Sequence, residues 1–299
     1  MVVIVSALCW DKWLGEPHVR IHPVVWMGNC IAWMRKKSPS SEAASFLWGL
    51  LMVILLPLCF ALLAALSQVP FLGIVFAIWL LKSSFAVRGL IDAGLNVAVA
   101  LEQEDLGSAR TGLRSLCSRN ADKLDATLVS AAATESVAEN CSDSLVAPLF
   151  WYAFAGLPGA LVYRCVNTLD AMVGYRGKYE WLGKASARTD DLLNLVPARL
   201  CSVLLIFAGW LTPGADVKTG ISVLLNDRNL TSSPNAGWPM AAMAGLLGVE
   251  LEKPEHYVIG KGLAASDADK LRLGCVLSER AMLLTAALLL LALLLAAVL

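Results

Sequence analysis

FLWGLLMVILLPLCFALLAAL, Phe46 to Leu66, runs for 21 residues without a charge. A helix of about 20 apolar residues is what the hydrocarbon core of a bilayer requires. Working outward from this stretch, the whole chain reads as an all-α integral membrane protein. Its 299 residues are 58% hydrophobic and only 16% charged, far from the balance of a soluble domain. Further spans are expected at 70–87, with Lys82 to Val87 as a weakly polar extension, and at 281–299. The first two form a hairpin broken at SQVP, Ser67 to Pro70, where proline and polar residues mark a tight turn. Two other apolar stretches, 145–162 and 200–211, carry or adjoin Pro148, Gly156, Pro158, Pro197 and Pro213. They are expected to be spans, or broken and re-entrant segments buried where neighbours satisfy the freed backbone groups. The expected architecture is one helical membrane domain, residues 1–299, with about 3 to 5 transmembrane helices and a helical active-site region on the cytoplasmic side.

The charges set orientation rather than partners. With 24 basic and 24 acidic side chains the net charge is zero, so no field draws the protein to nucleic acid. Arg35, Lys36 and Lys37 precede the first span and place the N-terminal segment in the cytoplasm. The hairpin then returns the chain to that side, and residues 88–143 follow as a charged, largely helical region. Arg164, Arg176, Lys178, Lys184 and Arg188 put the loop expected at 164–198 on the same face. The location implied is the inner membrane, multi-pass and surrounded by lipid. The N-terminal MVVIVSALCWDKW is too short for a span and poorly formed for a cleaved signal, so it is expected to stay on the protein. Eight scattered cysteines without a CxxC read as reduced, buried fillers.

Four stretches carry candidate chemistry. In TESVAENCSDSLVAPLFW, Thr134 to Trp151, the acids Glu135, Glu139 and Asp143 fall in a narrow arc of one helix, widened by Asn140. Acids set against an apolar run need a cation or hydrogen-bond donors. Oxygen ligands of this kind suit Mg²⁺, which is commonly held by one or two carboxylates and nucleotide phosphates. In ASARTDDLLNLVPARL, Ala185 to Leu200, Arg188, Asp191 and Asn194 share a helical stripe and Asp190 lies four residues before Asn194. Pro197 is expected to end or kink that helix. Upstream, Arg164, Asn167 and Asp170 recur at three-residue spacing, followed by Tyr175 and Arg176. In SSPNAGWPMAAMAGLLG, Ser232 to Gly248, a turn cluster precedes a helix whose free N–H groups make an anion site in waiting. Ala241 with Gly245, and Ala244 with Gly248, let that helix approach a neighbour closely. In GEPHVRIHPVVWMG, Gly15 to Gly28, His22 before Pro23 reads as a helix start rather than a metal ligand. The GxGxxA spacing in YVIGKGLAA lacks a surrounding βαβ pattern and is set aside as a dinucleotide site.

Taken together, HPVVWMG, ATESVAENCSDSLVAPLFW, YRCVNTLDAMVGYR with Tyr179, ASARTDDLLNLVPARL and SPNAGWPMAAMAGLLGVEL resemble the CobD/CbiB family of cobalamin-biosynthesis membrane synthases. The matches run in family order over most of the chain outside the spans. Two positions depart from the family pattern, which has an acid at Met240 and Asp-Pro at Glu16-Pro17. The resemblance implies an acid-amine ligase, adenosylcobinamide-phosphate synthase, dependent on ATP and Mg²⁺. It would join adenosylcobyric acid to (R)-1-aminopropan-2-ol or its O-phosphate, alongside other cobalamin-assembly enzymes. Glu135, Glu139 and Asp143 would hold the metal and act in catalysis with Arg188 and Asp191. His22, Asn140, Asn167, Asp170, Arg176, Asp190, Asn194, Arg199, Ser233, Asn235, Gly237 and Trp238 would bind substrate or ATP. A secondary transporter, or a non-catalytic sensor of the same family, would place acids beside the membrane in a similar way.

Overall fold

The structure is a computed structural model that describes residues 1–117, 119–175, 177 and 179–298, with side chains to 296. In chain order the helices are α1 (Val2–Leu14), α2 (Pro23–Lys36), α3 (Glu42–Ala61), α4 (Gly73–Ser83), α5 (Val87–Glu102), α6 (Leu106–Leu113), α7 (Ala126–Cys141), α8 (Ala147–Val173), α9 (Glu180–Trp210), α10 (Val217–Asp227), α11 (Gly237–Leu247) and α12 (Ala268–Val298). Between α11 and α12, β1 (Leu251–Lys253) and β2 (Tyr257–Ile259) pair as an antiparallel hairpin with Glu252 opposite Val258. Among the described residues, five helical segments are long and apolar enough to cross a membrane: Glu42–Gln68, Gly73–Glu102, Ala126–Val173, Glu180–Trp210 and Ala268–Ala296. The chain is therefore an all-α, multi-pass membrane protein, and each of the five apolar stretches in the sequence lies within or overlaps one of these segments. All eight cysteines are free.

The described residues group into two compact units. The first contains Met1–Ala86, Ala147–Asn194 and the end of α12. Within it α1 packs on α4, and α2, α3 and α4 pack on α8. Gly49 of α3 sits where a Cβ would come 2.0 Å from the Leu182 carbonyl oxygen, so only glycine allows α3 and α9 this approach. Leu47, Leu50, Ile54 and Leu58 of α3 stay exposed, as a face meeting lipid tails would be. The second unit contains Val87–Val146 and Leu195–Leu288. Here α5 packs on α6 and α7, α11 on α10 and α7, and β1 on α7. The small-residue spacing of α11 is used as expected: a Cβ on Gly245 would meet the Thr219 carbonyl oxygen at 2.5 Å.

Three details of the helices differ from the pattern in the sequence. Residues 164–198 are not a loop, because α8 extends to Val173 and α9 begins at Glu180. Second, α9 does not end at Pro197 but continues to Trp210. A proline there deprives the Leu193 carbonyl of its usual helical donor. The Trp151 indole N–H supplies one instead, at 3.1 Å, which is how a proline is tolerated at membrane depth. Third, the helix carrying the acids is not uniform: α7 passes into α8 through a π-helical turn, Ser142–Val146. Pro148 lacks the N–H that would bond Ser144 in an α-helix, so the wider turn costs no α-helical bond at that carbonyl. Farther along, α8 breaks at Ala155 and Gly156, where Gly156 takes φ 62°.

Candidate functional site

The acids of α7 lie in the second unit, and the chain positions them by a well-capped start. Asp125 accepts the Leu128 N–H at 2.8 Å and sets the helix phase that follows. Glu135 is buried, with its side chain 4% exposed. From the connection before α7, Arg119 donates to Glu135 Oε2 in a charge-assisted hydrogen bond. Arg119 Nη1 is buried without a hydrogen-bond partner, while the Tyr257 side chain engages the Glu135 carboxylate. The β1–β2 hairpin brings Lys253 and Tyr257 to the same place. Lys253 Nζ lies 5.8 Å from the Tyr257 ring centroid, and its charge bears on Glu135. Burial, and then the charges of Glu135 and Glu139, push the Tyr257 phenol well above its usual range. One turn beyond Glu135, Glu139 is exposed, and Asp143 is half-buried within the π turn. Asn140 donates to the Ser136 carbonyl of its own helix at 2.8 Å.

The SSPN turn, in the same unit, is organised around a tryptophan. Ser233 Oγ accepts the N–H groups of Asn235 and Ala236 at 3.2 and 3.4 Å, which shapes the start of α11. Asn235, 5% exposed, uses Oδ1 to accept from Arg199 Nη1 at 3.1 Å. The Arg199 and Arg228 guanidiniums lie 4.5 and 5.1 Å from the Trp238 ring centroid. Gly237 is obligatory, since a Cβ there would meet the Arg228 carbonyl oxygen at 2.2 Å. Asn235 thus acts as an anchor for an arginine, and the two guanidiniums are the cationic groups at this turn. Met240 is buried in α11.

In the first unit, α8 and α9 are joined by a polar chain. Arg164 Nη1 donates to Asn167 Oδ1 at 3.3 Å, Asn167 Nδ2 to Asp190 Oδ1 at 3.4 Å, and Asn194 Nδ2 to Asp190 Oδ2 at 3.0 Å. Tyr163 donates to Asn194 Oδ1 at 3.0 Å. Asn167, Asp190 and Asn194 are therefore brought together, whereas Arg188 is exposed. Asp170 and Asp191 are half-buried, and Arg176 lies outside the described residues. His22 begins α2 as expected: its Nδ1 accepts the Val24 N–H at 3.2 Å, so Nε2–H faces Glu16 Oε2 at 3.0 Å. Lys82, read in the sequence as part of a weakly polar extension, is fully buried. Its Nζ meets Glu16 Oε1 at 2.9 Å, Asp11 Oδ1 at 3.1 Å and the Phe85 carbonyl at 3.1 Å. Burial raises the Glu16 pKa, but the His22 hydrogen bond and the Lys82 charge outweigh it and hold the carboxyl below its usual range. A lysine inside an apolar run was the signal for this cluster. Nothing local in the sequence pointed to Arg119, Lys253 or Tyr257, which reach Glu135 only through the fold.

The fit to a divalent cation follows from the acids' surroundings. Among the described residues, no group of three His, Cys, Asp or Glu side chains converges as a metal site. Mg²⁺ does not demand one, since it needs one or two carboxylates beside phosphate oxygens and water. Glu139, exposed, and Asp143, half-buried, suit that role, while Glu135 already shares an oxygen with Arg119. Comparison with known proteins agrees in extent. Residues 4–295 match the family model described as CobD/Cbib protein. The chain is 42% identical over 272 residues to "Cobalamin biosynthesis protein CobD" of Dehalococcoides mccartyi (strain CBDB1), covering 87% of this chain and 86% of that protein. It is 40% identical over 273 residues, covering 90% of each, to "Probable cobalamin biosynthesis protein CobD" of Methanothermobacter thermautotrophicus. No solved structure matches. A family match over nearly the whole chain, carried by a helical membrane fold, means that this protein belongs to the CobD/Cbib family of cobalamin biosynthesis.

Proposed function

We propose that the protein ligates adenosylcobyric acid to (R)-1-aminopropan-2-ol or its O-phosphate, with ATP driving amide formation. The supporting observation is the second unit's combination of Glu139 and Asp143 with two arginines at the SSPN turn. A carboxylate is a poor acyl donor. The corrinoid carboxylate therefore takes a phosphoryl group from ATP, and the amine displaces it as inorganic phosphate, leaving the amide and ADP. Mg²⁺, held by Glu139 and Asp143, would neutralise charge on the transferring phosphoryl group. Arg199, fixed by Asn235 and joined by Arg228 at Trp238, clamps the ATP phosphates. The Asp190–Asn194–Asn167 chain holds α8 to α9 within the first unit. The decisive assay incubates purified protein with adenosylcobyric acid, ATP, Mg²⁺ and each amine, with products identified by mass. Amide product with ADP release is expected; ligand flux into vesicles without ATP consumption would favour a transporter instead.

Two further results follow from this reading. Asn235→Ala removes the acceptor that holds Arg199. The KM for ATP should rise about tenfold with either amine, the scale of one hydrogen bond to a charged group. Unchanged kinetic constants would leave the turn a structural one. Because basic residues flanking the spans favour the cytoplasmic side, Lys184, exposed near the start of α9, should face the cytoplasm. A cysteine at that position in a cysteine-depleted background should react with an impermeant maleimide only from that side. Labelling from the opposite side alone would reverse the proposed orientation.

A further inference from the structure

We infer that the groove between α2 and α3, in the first unit, is a binding site for one anionic glycerophospholipid, whose acyl chain lies in the groove and whose phosphate is held by the cations ending α2. The groove has a volume of about 310 Å³ and is walled by Trp26, Cys30 and Trp33 of α2, by Leu55 and Cys59 of α3, and by Leu63 just beyond. Among the described residues no charged side chain lines it. Its walls are fixed before anything binds. The Trp26 indole donates to the Arg20 carbonyl at 3.0 Å and meets Trp79 edge-on, with ring centroids 5.8 Å apart. The Trp48 indole ties α3 to the Met34 carbonyl at 3.0 Å. A preformed site spares its ligand the cost of ordering the protein. An apolar cavity of about 150 Å³ already stays dry and takes benzene, so a larger apolar groove on a membrane protein takes hydrocarbon.

Charge at one end separates this groove from ordinary lipid-facing surface. Arg35 and Lys36 stand in the last turn of α2 and Lys37 caps it, and both lysines are exposed. Lys37 Nζ lies 3.8 Å from the ring centroid of Trp33, itself a wall of the groove, so a cation sits at the mouth. Arg35 is held close by, 5.5 Å from the Tyr179 ring centroid. From Arg35 to Cys59 the chain carries these three cations and one acid, Glu42. Clusters of basic residues beside a span attract anionic lipid, whereas a zwitterionic headgroup would bring an ammonium among like charges. A second copy docked two-fold over the same face would set one cation triplet against the other. The occupant that satisfies both the groove and its mouth is a lipid with one net negative charge. This site does not depend on the proposed ligation.

The test uses the full chain, purified in detergent and stripped of lipid, with native mass spectrometry reading the first lipid retained. Phosphatidylglycerol should bind at least about tenfold more tightly than phosphatidylcholine of the same acyl chains, as expected for two or three cations near the headgroup. A Lys36→Gln, Lys37→Gln double variant, changed only at exposed positions, should bring the two lipids within about twofold of each other. Cys59→Trp fills the groove from an exposed position of α3 and should weaken phosphatidylglycerol at least about tenfold, since several methylenes lose their cover. Leu58→Trp, exposed on α3 outside the groove, should bind as wild type does. Phosphatidylglycerol should also raise the Tm of wild type and leave that of the lysine variant unchanged, and excess inorganic phosphate, which lacks the chain, should not displace it. Equal binding of the two lipids, a preference that survives in the lysine variant, or displacement by phosphate would overturn the site. Undiminished binding by Cys59→Trp would also overturn it, leaving only the general attraction of basic residues at the end of a span. A dimer of the lipid-free protein that Cys59→Trp disrupts would give the groove to a second copy instead.

Discussion

Glutamine in place of Glu139 is expected to lower ligation by at least about a hundredfold, a loss typical of removing one group that stabilises developing charge. The two side chains have nearly the same shape, and Glu139 is exposed. Exposed substitutions of this kind usually change stability by less than about 0.5 kcal/mol. The variant should therefore extract and purify like wild type, and lose activity through the missing charge alone. Raising Mg²⁺ should recover part of the rate if the carboxylate contributes to metal binding. Wild-type turnover of Glu139→Gln at ordinary Mg²⁺ would remove this residue from the site. Asp143→Asn provides an independent comparison, since it lies beyond the start of the π turn and its position does not follow from α-helical geometry.

The second large effect is on stability. Lys82→Met keeps the length of the side chain but takes a cation from a fully buried position where it serves Asp11, Glu16 and the Phe85 carbonyl. Asp11 is itself only 3% exposed. Removing one partner from a buried ion pair typically costs about 3 to 5 kcal/mol, because the other charge stays desolvated. Thermal unfolding in detergent should show that loss, and a Lys82→Met, Asp11→Asn double variant should regain much of it, as coupled neighbours do. A loss below about 1 kcal/mol would mean that water reaches the cluster. Glu16 is expected to matter less, since its side chain is 40% exposed.

Hydrophobic run length is a local property, so Phe46 to Leu66 declared a membrane helix without reference to any neighbour. The start of α2 at His22-Pro23 and the close-packing glycines of α11 were legible for the same reason: capping and small-residue spacing act within a few residues. Polar stripes were legible as stripes. That Asn167, Asp190 and Asn194 meet required α8 and α9 to be placed side by side.

The misreadings occurred where a backbone or charge requirement is met by a distant residue. Pro197 read as the end or a kink of its helix because a proline removes a helical donor; the helix runs on to Trp210, and only the fold supplies the Trp151 indole in that donor's place. Lys82 passed as a weakly polar edge of a span because its counter-charges come from α1 and the following turn, 71 and 66 positions away in sequence. Glu135 and Glu139 read alike in the sequence, since both lie on one helical arc. Folding distinguishes them by burying Glu135 against Arg119 while Glu139 stays exposed. The sequence by itself determined a multi-pass helical protein and its family, because these depend on composition, periodicity and local motif. Tertiary structure alone decided which acid is buried against an arginine, which proline is tolerated and which lysine is buried, because desolvation and hydrogen-bond satisfaction depend on what arrives from elsewhere in the chain.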